Sequence, residues 1–222
     1  MRRAVTLSLS GIATLAAVML FAAPAPEGLE FTATIARVAG APDTARFEIL
    51  RWSTDDEREK LVSAWNLKAP APASAAAGRG GAKGGKGKGP APAAVKATPE
   101  DALAKALQAA TTVGYLWSSE NAGYALRYAG RFSNPDGSQR IILITQRRLG
   151  SMNQLWKPTF EGAPNTNDFS VIELHVNAKG EGEGKASLMG KLAVDASKIV
   201  TLENYSALPV VFEKVHRKVA QP

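Results

Sequence analysis

Large side chains alternate with small or polar ones along 31–38, and again along 46–52 beyond a turn marked by Gly40, Pro42 and Asp43. Period-two patterning rich in β-branched and aromatic residues predicts two strands, the second with Phe47 and Ile49 on one face. The period then changes. Thr54 and Glu57 have capping-box spacing, Asp55, Asp56 and Glu57 suit the positive end of a helix dipole, and Leu61 and Trp65 share a face. Asp56 and Lys60 are spaced to pair on the outside. These features predict a helix over 54–67. A second helix is predicted over 98–112, with Thr98 as cap, Pro99 in the first position, and Leu103, Ala106, Leu107 and Ala110 as an apolar stripe. Gly114 is placed as its left-handed cap. Neither helix is long enough to be stable alone in water, so both need a surface to cover.

Asn134-Pro135-Asp136-Gly137 predicts a tight hairpin turn, with 124–128 and 141–145 as its arms. A three-residue loop pairs Asn134 with Ser138, sets Tyr128 opposite Ile144 and Leu126 opposite Gln146, and puts Tyr124, Leu126, Tyr128, Ile142 and Ile144 on one face. The run 141–144 is apolar on both faces, as in a central strand. Along 169–176, Ile172, Leu174 and Val176 face one way and Glu173 and His175 the other. The glycine-rich 179–184 reads as a turn into a strand at 185–194, and strands at 199–205 and 210–215 follow. Short turns between strands imply antiparallel pairing. The expected fold is α+β and mainly antiparallel β, a sandwich or partly open barrel carrying a packed two-helix hairpin. No internal repeat is visible, and no strand–helix–strand alternation suggests a nucleotide-binding sheet.

Between the helices lies 69–97, built of Gly, Ala, Pro and Lys with no acid. What precedes it, apart from the chain's amino-terminal segment, is two strands and one helix, too little for a core. The stretch therefore reads as a disordered insertion in a helical hairpin, inside one domain spanning 26–218, with 219–222 as a tail. Lengthening such a loop from about 4 to about 28 residues costs only ~1.7 kcal/mol of closure entropy.

Charge sharpens this division. The 222-residue chain has a net charge of +7. Eight of its 27 basic residues are Arg2, Arg3 and six at or near the insertion; the remaining 19 face 20 acids. Arg2 and Arg3 precede an uncharged run to Ala23, and small residues follow at Ala25, which is the pattern of a signal peptide over 1–25. The expected location is periplasmic or extracellular. The alternative is an uncleaved anchor, since about 20 apolar residues can cross a bilayer. The chain has no cysteine, which removes disulfides, thiolate metal sites and cysteine nucleophiles.

Candidate chemistry is sparse. Gly80 to Lys86 has phosphate-loop spacing, but Gly87 stands where Ser or Thr belongs and no strand precedes it. Glu173 and His175, on one face of one strand, are candidates for an acid/base or ligand pair, set against a hydrogen-bonded sheet surface. With two histidines in the chain, neither a metal nor any other cofactor is expected. No Gly-x-Ser-x-Gly elbow marks a hydrolytic serine. Glu203, Asn204, Tyr205, Arg127 and Tyr128 place polar groups beside aromatic ones, as at a barrel mouth or sandwich edge.

The segments 51–58, 123–129 and 202–205 together resemble exported bacterial proteins of unknown function. That resemblance implies export and a single domain, and carries no activity and no site residues. The expected function is a non-catalytic binding or structural module. One alternative is a hydrolase using Glu173 and His175. The other is weak association with polyanions or membrane surfaces through Arg79, Lys83, Lys86 and Lys88, without specific nucleic-acid recognition. If the last holds, deleting 78–89 abolishes binding to acidic vesicles or DNA at low salt; binding that survives the deletion excludes it.

Overall fold

The computed structural model describes residues 28–67, 97–118, 123–151, 156–161 and 165–218. The expected signal segment and nearly all of the basic insertion, with its phosphate-loop spacing, lie outside the described residues. In chain order the elements are β1 (Leu29–Ile35), β2 (Val38–Ala39), β3 (Thr44–Ile49), α1 (Asp55–Trp65), α2 (Pro99–Ala109), β4 (Gly114–Trp117) and β5 (Gly123–Ser133). They continue with β6 (Gln139–Thr145), β7 (Lys157–Pro158), β8 (Val171–Val176), β9 (Glu181–Ala186), β10 (Leu192–Val194), β11 (Val200–Leu202), a 3-10 turn (Tyr205–Ala207) and β12 (Phe212–Lys218).

Eight of these strands make a closed antiparallel barrel in the order β1-β3-β4-β5-β6-β8-β9-β12, with β12 returning to β1. The fold is thus mainly antiparallel β with two helices, and the expected sandwich or partly open barrel is instead a closed one. Closure depends on pairing between the two ends of the domain, Glu30 with Lys218 to Ile35 with Phe212, which no local pattern encodes.

The barrel interior is filled by side chains. Phe31, Phe47, Leu116, Leu126, Leu174 and Phe212 are fully buried in one apolar cluster, with Phe47 and Phe212 edge to face at 5.1 Å. Trp156 closes one end: it lies edge-on to Tyr124, whose hydroxyl accepts the Gly150 amide at 2.9 Å. At the other end Trp52 packs on the same cluster and the Arg131 guanidinium lies over its ring.

A second apolar cluster sits outside the barrel. Leu61 of α1, Leu103 and Leu107 of α2, and Ile199, Val200 and Leu202 at β11 cover Tyr128, Ile142, Ile144 and Val171. Strand β6 is therefore a wall between two cores: Ile141 and Leu143 face inward, Ile142 and Ile144 outward. This explains its apolar run. Both helices begin with the expected caps, Thr54 accepting from the Glu57 amide and Thr98 from the Asp101 amide. Arg51 grips Glu57 with two bonds of 2.9 and 2.8 Å and holds its carboxyl down at about 2. The ion pair found on α1 is Arg58–Asp55 rather than Asp56–Lys60.

Several expectations are corrected. Tyr128 does lie opposite Ile144, but Leu126 pairs with Thr145, because the register shifts between Leu126 and Tyr128. This bulge turns Tyr124 and Leu126 into the barrel while Tyr128, Ile142 and Ile144 face out. Arg127, left over at the bulge, donates to the Ala110 carbonyl at 2.7 Å, the Thr112 hydroxyl and the Gln146 side-chain oxygen. It thereby brings a cation to the carboxy-terminal end of α2, which has no basic residue in its last turn. Helix α2 stops at Ala109, and Gly114 is not its cap but the first residue of β4, where a Cβ would lie 2.2 Å from the Glu48 carbonyl oxygen. The stretch 199–205 is no single strand: β11 ends at Leu202, and Asn204 turns left-handed at φ 53° into the 3-10 turn.

The largest correction concerns 179–184, where glycine was the turn signal. Gly182 and Gly184 lie inside β9, and the chain needs them there because of crowding. A Cβ on Gly182 would fall 1.8 Å from the His175 carbonyl oxygen, and one on Gly184 would meet Leu174 at 2.4 Å and Phe212 at 3.2 Å. Gly182→Ala is expected to lower stability by about 2–3 kcal/mol through this overpacking. The change will read as a lower urea midpoint with an unchanged slope; an unshifted midpoint would mean that the β8–β9 contact is not tight.

Candidate functional site

Glu173 and His175 both lie on the outer face of β8, as the alternation requires. Glu173 is enclosed, whereas the His175 side chain is 45% exposed. The excursion from β10 to the 3-10 turn crosses over them, and Glu173 is 3% exposed. Burying a carboxylate without partners costs several kcal/mol, and here partners converge from three directions. Arg140 of β6 donates from Nε at 2.8 Å, His175 is bonded through Nε2 at 2.7 Å, and the Thr201 hydroxyl of β11 donates to the other oxygen. The Arg140 guanidinium also reaches Asp195 at 2.5 Å and Thr201 at 3.0 Å. Burial pushes the Glu173 carboxyl up, but the bonds from His175 and Thr201 and the charge of Arg140 outweigh it, and the group lies below its ordinary value.

His175 is stacked on Tyr205, with ring centroids 4.1 Å apart and planes 12° from parallel. Lys185 of β9 donates to the Tyr205 carbonyl at 2.9 Å and sits 4.4 Å from its ring centroid. The Tyr205 hydroxyl is buried and has no hydrogen-bond partner among the described residues. Burial, then the Glu173 and Glu183 carboxylates, push that phenol up. Tyr205 therefore packs on the outside of the wall and lines no barrel mouth, and Tyr128 is buried against the α1–α2 layer.

In this constellation the carboxylate is enclosed by its partners while the imidazole reaches solvent. With the Nε2 proton committed to Glu173, a neutral His175 keeps its lone pair on Nδ1. One ring face is covered by Tyr205. Among the described residues no group of three His, Asp or Glu side chains could hold a metal ion. The sequence pairs Glu173 with His175 correctly, but Arg140, Asp195 and Thr201 come from 33, 22 and 28 residues away along the chain from Glu173, and no spacing rule finds them.

A concave surface lies elsewhere. A groove of about 480 Å³ crosses the outer face of the adjacent strands β12, β1, β3 and β4. Thr32 and Thr34 of β1, Thr44 and Arg46 of β3, Trp117 of β4 and Lys214 of β12 line it. The Trp117 indole is fixed from several sides. Its Nε1 donates to Glu48 at 2.9 Å, Arg46 lies 5.4 Å from its ring, and Gly123 leaves room for it, since a Cβ there would fall 2.8 Å from the ring. Lys214 sits at a bulge in β12 with φ 51°, a left-handed conformation uncommon outside glycine. The sequence pattern singled out none of these residues as site candidates. The available signal was the bias to Thr and Arg among the polar positions of the first two predicted strands.

No family model, curated protein or solved structure matches the chain. The expected export and the likeness to exported proteins accordingly rest on the sequence alone.

If the Glu173 network is what fastens the outer excursion to the barrel, Glu173→Gln costs about 2 kcal/mol at neutral pH, the range for a bond to a charged group. The sign of its pH dependence follows from the lowered carboxyl. Its contribution is present above the ordinary value of 4.5 and is lost as pH falls below it. Urea titrations at pH 7 and pH 3 should thus show a smaller difference between variant and wild type at the lower pH; a constant or growing difference would contradict the assignment.

Proposed function

We propose that the chain is an exported, non-catalytic binding or structural module that engages its partner on the outside of the barrel. The observation that supports this most directly is the filled interior. Small eight-stranded barrels either pack their lumen with side chains or hold a ligand there, and this one buries phenylalanines and leucines along its axis with tryptophans at both ends. A catalytic reading of Glu173 and His175 finds less support. The carboxylate accepts bonds from Arg140, His175 and Thr201, which suits a fastening more than a base awaiting a substrate. The groove over β12, β1, β3 and β4 is lined by neither residue.

Purified full-length chain, offered chromogenic esters, glycosides and phosphate esters, is expected to release product no faster than buffer, and His175→Ala is expected to change nothing. Turnover in the wild type that disappears in His175→Ala would replace this proposal with the hydrolase.

A further inference from the structure

We infer that the outer groove binds a carboxylated oligosaccharide, a chain of sugar rings with intermittent carboxylates. The inference rests on the reading of the barrel as an external binding module and supplies its ligand class.

Three features of the groove select this chemistry. The first is a planar platform held rigid before any ligand arrives, the Arg46 guanidinium lying over the Trp117 ring. Trp117 is fixed by Glu48, Arg46 and the missing side chain of Gly123, so little side-chain freedom remains to be lost on binding. A planar guanidinium backed by an indole offers fixed donors, which suits the hydroxyls and ring oxygen of a sugar. The second is unused hydrogen-bonding capacity. Among the described residues the hydroxyls of Thr32, Thr34 and Thr44 take part in no hydrogen bond, and each can both donate and accept. They stand on two neighbouring strands, Thr34 directly opposite Thr44, and form a patch that matches the hydroxyls of a sugar.

The third is the charge pattern. Lys214 makes no ion pair among the described residues, whereas Arg46 is held 3.5 Å from both Glu30 and Glu48. Among the described residues the groove thus offers one free cation, Lys214, with carboxylates at its border. A nucleic-acid or polyphosphate backbone gains its affinity from several free cations together, more than the groove's described residues supply. A chain with one carboxylate per ring can set a single carboxylate on Lys214 and its hydroxyls on the threonines. Four adjacent strands spaced about 4.8 Å apart give the groove a width of roughly 14 Å, enough for more than one ring.

The experiment is calorimetric titration of the full-length chain with tetragalacturonate and with the neutral galactotetraose, at physiological ionic strength. Contacts from the basic stretch at 79–88 are then weakened by screening and are common to every variant. Lys214→Asn removes the charge with a residue that tolerates a left-handed backbone, and Thr34→Val removes a hydroxyl at similar shape, so both should fold. The acidic tetramer is expected to bind the wild type at least tenfold more tightly than the neutral one. Lys214→Asn should erase that preference, Lys214→Arg should keep it, and Thr34→Val should weaken both sugars several-fold. Equal affinity of wild type and Lys214→Asn for the acidic tetramer overturns the groove assignment while leaving an external binding module in place. A wild type that binds neither sugar, or both alike, overturns the ligand class. Turnover of either tetramer would overturn the non-catalytic reading itself.

Discussion

The barrel depends on one long-range contact, the pairing of β12 with β1. Without it the meander is a curled sheet with two bare edges, each a row of unpaired backbone groups open to other chains. With it the ring is continuous and the inner apolar face is enclosed on all sides. The contact is demanding, because β12 must approach both β1 and β9. Phe212 enters the interior where Gly184 has no side chain, and the bulge at Lys214 absorbs the mismatch in register. The closing salt bridge, Lys218 to Glu30 at 3.2 Å, is exposed and adds little by itself. The apolar inner face and the ladder do the closing.

How far the sequence could be read follows from the distance over which each feature is encoded. The capping boxes at Thr54 and Thr98 and the turn at Asn134 are written within four residues, and the structure has them where the pattern put them. The alternation of β8 is also local, so the pairing of Glu173 with His175 was visible. The bulge at Arg127 was not, since it exists to reconcile a hairpin with a helix end 17 residues away. Glycines 182 and 184 misled because glycine has two uses. It permits a turn, and it makes room for a neighbour, and only the neighbours Leu174, His175 and Phe212 tell which. Partners of Glu173 and the groove at Trp117 need the whole ring to be known.

The two sides of the barrel divide the polar work differently. On the side of β6 and β8, charged groups are buried and bonded to one another: Glu173, Arg140, Asp195 and Thr201 hold an excursion of the chain against the wall. Such a network gains more in specifying one arrangement than in net stability, since desolvation offsets much of its attraction. On the side of β1 and β3, the hydroxyls of Thr32, Thr34 and Thr44 and the Lys214 ammonium have no bonded partner among the described residues. The first arrangement is closed upon itself, and the second faces outward. This contrast, more than any residue type, separates scaffold from surface here.

The groove's position has a consequence for biogenesis. Its walls come from β1 and β3 near the start of the domain and from β12 at its end, strands joined by contacts 188 residues apart in the chain. Local elements such as the β5–β6 hairpin form within microseconds, whereas pairing across such a separation is slow. The concave surface therefore comes into being with β12, the last of the described strands to be made, and no incompletely folded chain displays it. The groove and the closed barrel are completed in one event.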